Sequence, residues 1–137
     1  MQKNILKNLD GLTPDESAKL LELERSVALD DARPNITNNF LSFVKYVWPE
    51  FIEGSHHKII NKKFNDLAEG KIKRLIINMP PRHTKSEFAS YLLPAWMIGK
   101  NPKLKIIQAT HTGELAIRFG RKAKTLIDSE EYSKIFE

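Results

Sequence analysis

Cysteine is absent from all 137 residues, which excludes disulfides, thiolate-held metal and sulfur nucleophiles together. Also missing is any run approaching the roughly 20 uninterrupted apolar residues needed to cross a bilayer. The opening Met1-Gln2-Lys3-Asn4 leads into no secretory apolar core, so the expectation is a soluble, intracellular protein without a membrane partner. Glycine is sparse, at six, and no internal repeat or low-complexity tract is visible. What is present, 41% apolar residues in a chain of this length, suits one domain with a modest core.

Charge is unevenly spread. Lys and Arg number 22 against 17 Asp and Glu, a net charge of +5. The chain is acidic between Leu9 and Asp31, whereas the stretch from Lys58 to Lys124 gathers Lys62, Lys63, Arg74, Arg82, Lys85, Arg118, Arg121 and Lys122 among its cations. Such a surface suits a polyanionic partner, because phosphate neutralisation releases counterions. It equally suits an ordinary solvated basic face.

Local signals organise the chain. Thr13-Pro14-Asp15-Glu16 reads as a capped helix start, and the apolar stripe Leu20, Leu23 and Val27 carries the helix to about Asp30. Ala32-Arg33-Pro34-Asn35 predicts a linker, so residues 1–35 form an acidic helix and linker ahead of a domain over 36–137. Helices are expected over 38–47, with Phe40, Phe43, Val44 and Val47 inward, and over 55–69, ended by Gly70. An apolar run over 73–79 reads as a strand, a helix follows over 85–98 with a kink at Pro94, a second strand covers 104–109, and a last long helix covers 114–127. The alternation implies an α/β crossover.

Between the first strand and its helix lie Pro80, Pro81, Arg82, His83, Thr84, Lys85 and Ser86. Backbone N–H groups at a helix start favour an anion, a lysine there reaches terminal phosphates, and the neighbouring hydroxyl can ligate Mg²⁺. Nucleotide binding is therefore the leading reading, with Lys85 on the phosphates and Ser86 on the metal. Against G-x-x-x-x-G-K-[ST], Met79 and Thr84 replace both glycines. Threonine is the more consequential, since a β-branched residue resists the torsions that glycine permits.

Met79 through Glu87 closely resembles the variant phosphate-binding segment of phage terminase large subunits, the ATP-driven DNA packaging motors, in which Pro-Pro-Arg-His-Gly-Lys-Ser is usual. The chain differs at Thr84 alone. Gly99-Lys100-Asn101-Pro102, Ala109-Thr110, Leu115-Ala116, Phe119-Gly120-Arg121, Tyr132 and Phe136 are similar in spacing, and the likeness covers about 40–137. It implies a P-loop NTPase-like parallel sheet in three α/β/α layers, with only the first strands present and N-terminal helices ahead of them. It further implies ATP and Mg²⁺ as cofactors, Pro80 to Ser86 around the phosphates, Arg82 as a phosphate sensor or a loop-shaping residue, and His57 against the adenine. Arg118, Arg121 and Lys122 would contact double-stranded viral DNA without reading sequence. The implied partners are the portal protein and the small terminase subunit. The implied assembly is a homo-oligomeric ring in host cytoplasm, transiently at the procapsid.

No apolar strand ends in Asp-Glu, the pair that supports magnesium and polarises water in such ATPases, and the acidic nuclease cluster is missing too. The expectation is a fragment carrying the ATP-binding opening of a larger motor, without efficient hydrolysis of its own. The alternatives are part of a helicase-like P-loop ATPase, or a non-enzymatic DNA-binding or assembly module.

Overall fold

Thr13 caps the first helix as its place before Pro14 predicts: its hydroxyl accepts the Glu16 N–H at 3.3 Å, while the Glu16 carboxylate accepts the Thr13 N–H at 2.8 Å. The computed structural model describes residues 13–136. The chain divides into two units, Met1–Pro34 and Asn35–Glu137. Helix α1 (Pro14–Asn38) runs through Pro34, where the sequence predicts a break. Of its apolar stripe, Leu20 is half-buried while Leu23 and Val27 are 66% and 56% exposed, and Leu21 beside them is 50% exposed.

The second unit is built from α2 (Phe40–Val47), α3 (Ser55–Ala68), a continuous helical stretch from Lys85 to Lys100, α6 (Gly113–Ile127) and the short α7 (Glu130–Ser133). The stretch from Lys85 comprises α4 (Lys85–Glu87), a π-helical segment (Phe88–Leu92) and α5 (Leu93–Lys100). Pro94 has no N–H to give the preceding turn. The chain takes up the defect by widening ahead of it, where the Leu93 N–H reaches the carbonyl of Phe88, five residues back.

Three asparagines complete the start of α2. Helix starts leave N–H groups unpaired. Here the Phe40 N–H donates to Asn65 Oδ1 at 3.1 Å, the Leu41 N–H to Asn61 Oδ1 at 2.8 Å and the Ser42 N–H to Asn39 Oδ1 at 3.1 Å. Asn61 and Asn65 belong to α3, so the polar join also sets how α2 and α3 meet. Beneath it, the fully buried Phe40 ring makes edge-to-face contacts with Phe64 at 5.0 Å, Phe88 at 5.3 Å and Trp96 at 5.7 Å. One aromatic side chain thus ties α2 to α3, the π-helical segment and α5. Gly70 ends the α3 turn at φ +73, the left-handed torsion that glycine adopts at no steric cost. On the far side, Tyr132 donates its hydroxyl to the Ala95 carbonyl at 2.8 Å, and burial pushes its pKa up to about 12.

The α/β parallel sheet expected from the sequence is not there. Among the described residues every regular element is helical, and neither 73–79 nor 104–109 forms a strand or a bridge. A strand exists only through pairing with a neighbour. These two segments are irregular and form no ladder with another described segment, with Ile76 at 86% and Ile107 at 96% exposure. Apolar β-branched runs announce extended backbone without saying what lies beside it. The three-layer α/β/α arrangement is accordingly replaced by a helical one.

Candidate functional site

Pro80 and Pro81 deliver the chain to the start of α4 through a turn in which two residues other than glycine adopt left-handed torsions, Arg82 at φ 63 and Thr84 at φ 59. Thr84 has ψ 3 and stands immediately before Lys85, the first residue of α4. Left-handed backbone costs an ordinary L-residue about 1–2 kcal/mol, and the surroundings must offset that cost. His57 does much of this. Its Nε2 lies 2.8 Å from Thr84 Oγ1, and the Thr84 hydroxyl donates to the His83 carbonyl at 2.6 Å.

The tautomer of His57 follows from its other nitrogen. The Gly54 N–H can only donate, so Nδ1, at 2.8 Å, is the acceptor and the proton sits on Nε2. A relay results, from the Gly54 amide through the His57 imidazole and the Thr84 hydroxyl to the His83 carbonyl. His57 occupies the third position of α3 and turns back to the residue before the helix, as a glutamate does in a capping box. It is 4% exposed and packs against Phe51 at 4.8 Å and Phe88 at 5.1 Å between ring centres. Its place is therefore beneath the loop, with both ring nitrogens engaged by the protein itself. His83 is exposed and shapes the turn by donating Nδ1–H to the Pro81 carbonyl at 2.9 Å.

Burial holds the His57 pKa below the usual imidazole range, the charge of His56 pushes the same way, the Glu53 carboxylate opposes and His83 adds a further downward push. A histidine lowered in the folded state contributes stability that is fully present above the unfolded value, about 6.5, and is lost as pH falls through the lowered folded value. Urea unfolding at pH 7.5 and at pH 5 should show the wild-type chain weakening on acidification. His57→Gln should flatten that slope, and an unchanged slope would contradict the arrangement.

The mouth of the loop is cationic. Arg82 is exposed and Lys85 half-buried, and no described carboxylate pairs with either. Ser86, exposed on the first turn of α4, places its hydroxyl next to Lys85. Glu87, the following residue, binds Lys122 of α6 at 2.7 Å, and the Lys122 ammonium also sits 5.3 Å from the centre of the Tyr91 ring. Lys122 is thus already neutralised. Arg118 and Arg121 line an open groove together with Tyr91, Glu114, Ile117 and Lys122. The residues singled out in the sequence therefore fall into two places, a cationic turn at 80–86 with His57 packed beneath it and a groove on α6, linked through the Glu87–Lys122 pair. Sequence reasoning missed Glu87 and Tyr91, because a pair 35 positions apart leaves no local signal.

Neither a family model, nor a curated protein, nor a solved structure matches the chain.

Proposed function

We propose that the turn at 80–86 binds the phosphates of ATP with Mg²⁺, and that the chain supplies the nucleotide-binding part of a phage DNA packaging motor, the activity implied by its resemblance to terminase large subunits. The observation that carries this reading is the left-handed Thr84. The residue standing where the resembled segment has glycine takes up a glycine-like torsion, and a buried histidine holds it there. Strained torsions of this kind persist where the surroundings over-determine them, and they cluster at ligand-binding turns. Left-handed residues such as Arg82 and Thr84 are also a component of the backbone nests that bind anions.

In this reading Lys85 places its ammonium on the terminal phosphates and Ser86 offers a magnesium ligand. Arg82 neutralises phosphate charge from the opposite side of the turn. His57 positions the loop from below. The proposal rests on the turn and its cations and requires no sheet.

Titration with a fluorescent ATP analogue in the presence of Mg²⁺ tests it. A charge-assisted hydrogen bond contributes about 1.5–3 kcal/mol, so Lys85→Ala should weaken binding at least about tenfold while leaving the helical circular dichroism unchanged. Equal affinity in Lys85→Ala and wild type would overturn the proposal.

A further inference from the structure

The groove on α6 is lined by apolar surface, Ile117 and the Tyr91 ring, and by the cations Arg118, Arg121 and Lys122. Ile117 is 56% exposed, the Tyr91 ring lies beside it, and Arg118 and Arg121 flank it without a described ionic partner. Over its length α6 carries Arg118, Arg121, Lys122 and Lys124 against a single acidic residue, Glu114. A duplex backbone needs cations without apolar surface, and Glu114 at the groove edge would repel it. A protein segment with apolar side chains between carboxylates matches the groove better.

The chain itself presents such a segment. On α1, Leu23 and Val27 are four residues apart and therefore share a face, and both are more than half exposed. Glu24, three residues before Val27, and Asp31, four after it, stand on the same face. Of the basic residues of α1, Lys19, four before Leu23, is neutralised by Asp15, Arg33 is paired with Asp30, and Arg25 falls on the opposite side of the wheel. Six acidic residues (Asp15, Glu16, Glu22, Glu24, Asp30, Asp31) against these three basic ones give α1 the opposite sign to α6.

We infer that the α6 groove of one copy receives the Leu23–Val27 face of α1 from a second copy, with Glu24 and Asp31 against Arg118 and Arg121. The contact joins two copies through helices of opposite charge, an acidic face of one against a basic groove of the other. This inference is independent of nucleotide binding, because none of its residues belongs to the 80–86 turn.

Sedimentation velocity on the full chain tests it. At 20 mM NaCl the dimer fraction should rise with protein concentration, and at 500 mM NaCl it should fall, since exposed charge pairs are screened. Arg118→Glu with Arg121→Glu, or Glu24→Arg with Asp31→Arg, should each leave a monomer at concentrations where wild type is dimeric. Mixing the two variants should restore a heterodimer, because one copy then carries a reversed groove and the other a reversed α1. A wild-type chain that stays monomeric at 20 mM NaCl would overturn the inference, and so would a mixture that fails to associate. Groove variants that lose affinity for a DNA duplex while their oligomeric state is unchanged would assign the groove to nucleic acid instead.

Discussion

Replacing Phe40 with alanine should cost about 3–5 kcal/mol, the usual loss for a large aromatic removed from a packed core. Against a total stability of about 5–15 kcal/mol for a domain of this kind, that leaves a protein close to unfolding. The magnitude follows from position. Phe40 has no exposed surface and its ring meets Phe64, Phe88 and Trp96 edge-on, so its removal opens a void bordered by four elements at once. Aromatic pairs add about 0.5–1.5 kcal/mol beyond the area they bury, which supports the upper part of the range. Urea unfolding followed by helical circular dichroism gives the measurement. Leu21→Ala, at a position 50% exposed on α1, serves as the control and should change stability by no more than about 0.5 kcal/mol. A Phe40→Ala loss below 1 kcal/mol would mean that the aromatic cluster is not the core.

Thr84 yields the second large effect, and here the ranking of two substitutions matters more than either value. Thr84→Ala keeps the left-handed backbone, with its cost to any residue bearing a Cβ, and strips the buried His57 Nε2–H of its acceptor. An unsatisfied buried donor costs about 1–3 kcal/mol, and that is the expected loss. Thr84→Gly forfeits the same hydrogen bond but relieves the backbone by about 1–2 kcal/mol. Glycine's greater freedom in the unfolded chain returns about 0.4–1 kcal/mol of that gain. Glycine should therefore be more stable than alanine by about 0.8 kcal/mol at the middle of these ranges, although alanine is the better residue almost everywhere else. Equal stability for the two would show that the torsion at 84 is not strained. In the folded state, loss of the hydroxyl should also be visible in the ring-nitrogen NMR shifts of His57, the one imidazole whose Nε2–H donates to Thr84.

The helices were legible where apolar residues recur with helical spacing, as at Phe40, Phe43 and Val44 or at Ile60 and Phe64, all of them buried. The left-handed stop at Gly70 and the cap at Thr13 were legible because each depends on one residue and its near neighbours. The turn at 80–86 was legible as a cationic stretch opening a helix. Its stabilisation was not, because the hydroxyl that matters is held by a histidine 27 positions away. Pro94 announced a disturbed helix, yet whether the chain would bend or widen depended on how Phe88, Leu92 and Trp96 had to meet the core. The two supposed strands were misjudged since Ile76 and Ile107 look the same in sequence whether or not another segment runs alongside. Pro34 was misjudged in the opposite direction, the helix absorbing it and continuing to Asn38. Local chemistry was readable; pairing across long sequence separations was not.

The join between α2 and α3 carries one more implication. Amides in the first turn of α2 are completed by Asn61 and Asn65 of α3, so neither helix keeps its polar groups satisfied if the other departs. Breathing motions in this region must be concerted. Since α3 also bears His57, whose ring supports the strained turn, a fluctuation that begins at Asn39 reaches the left-handed backbone at 84 through a single rigid lever.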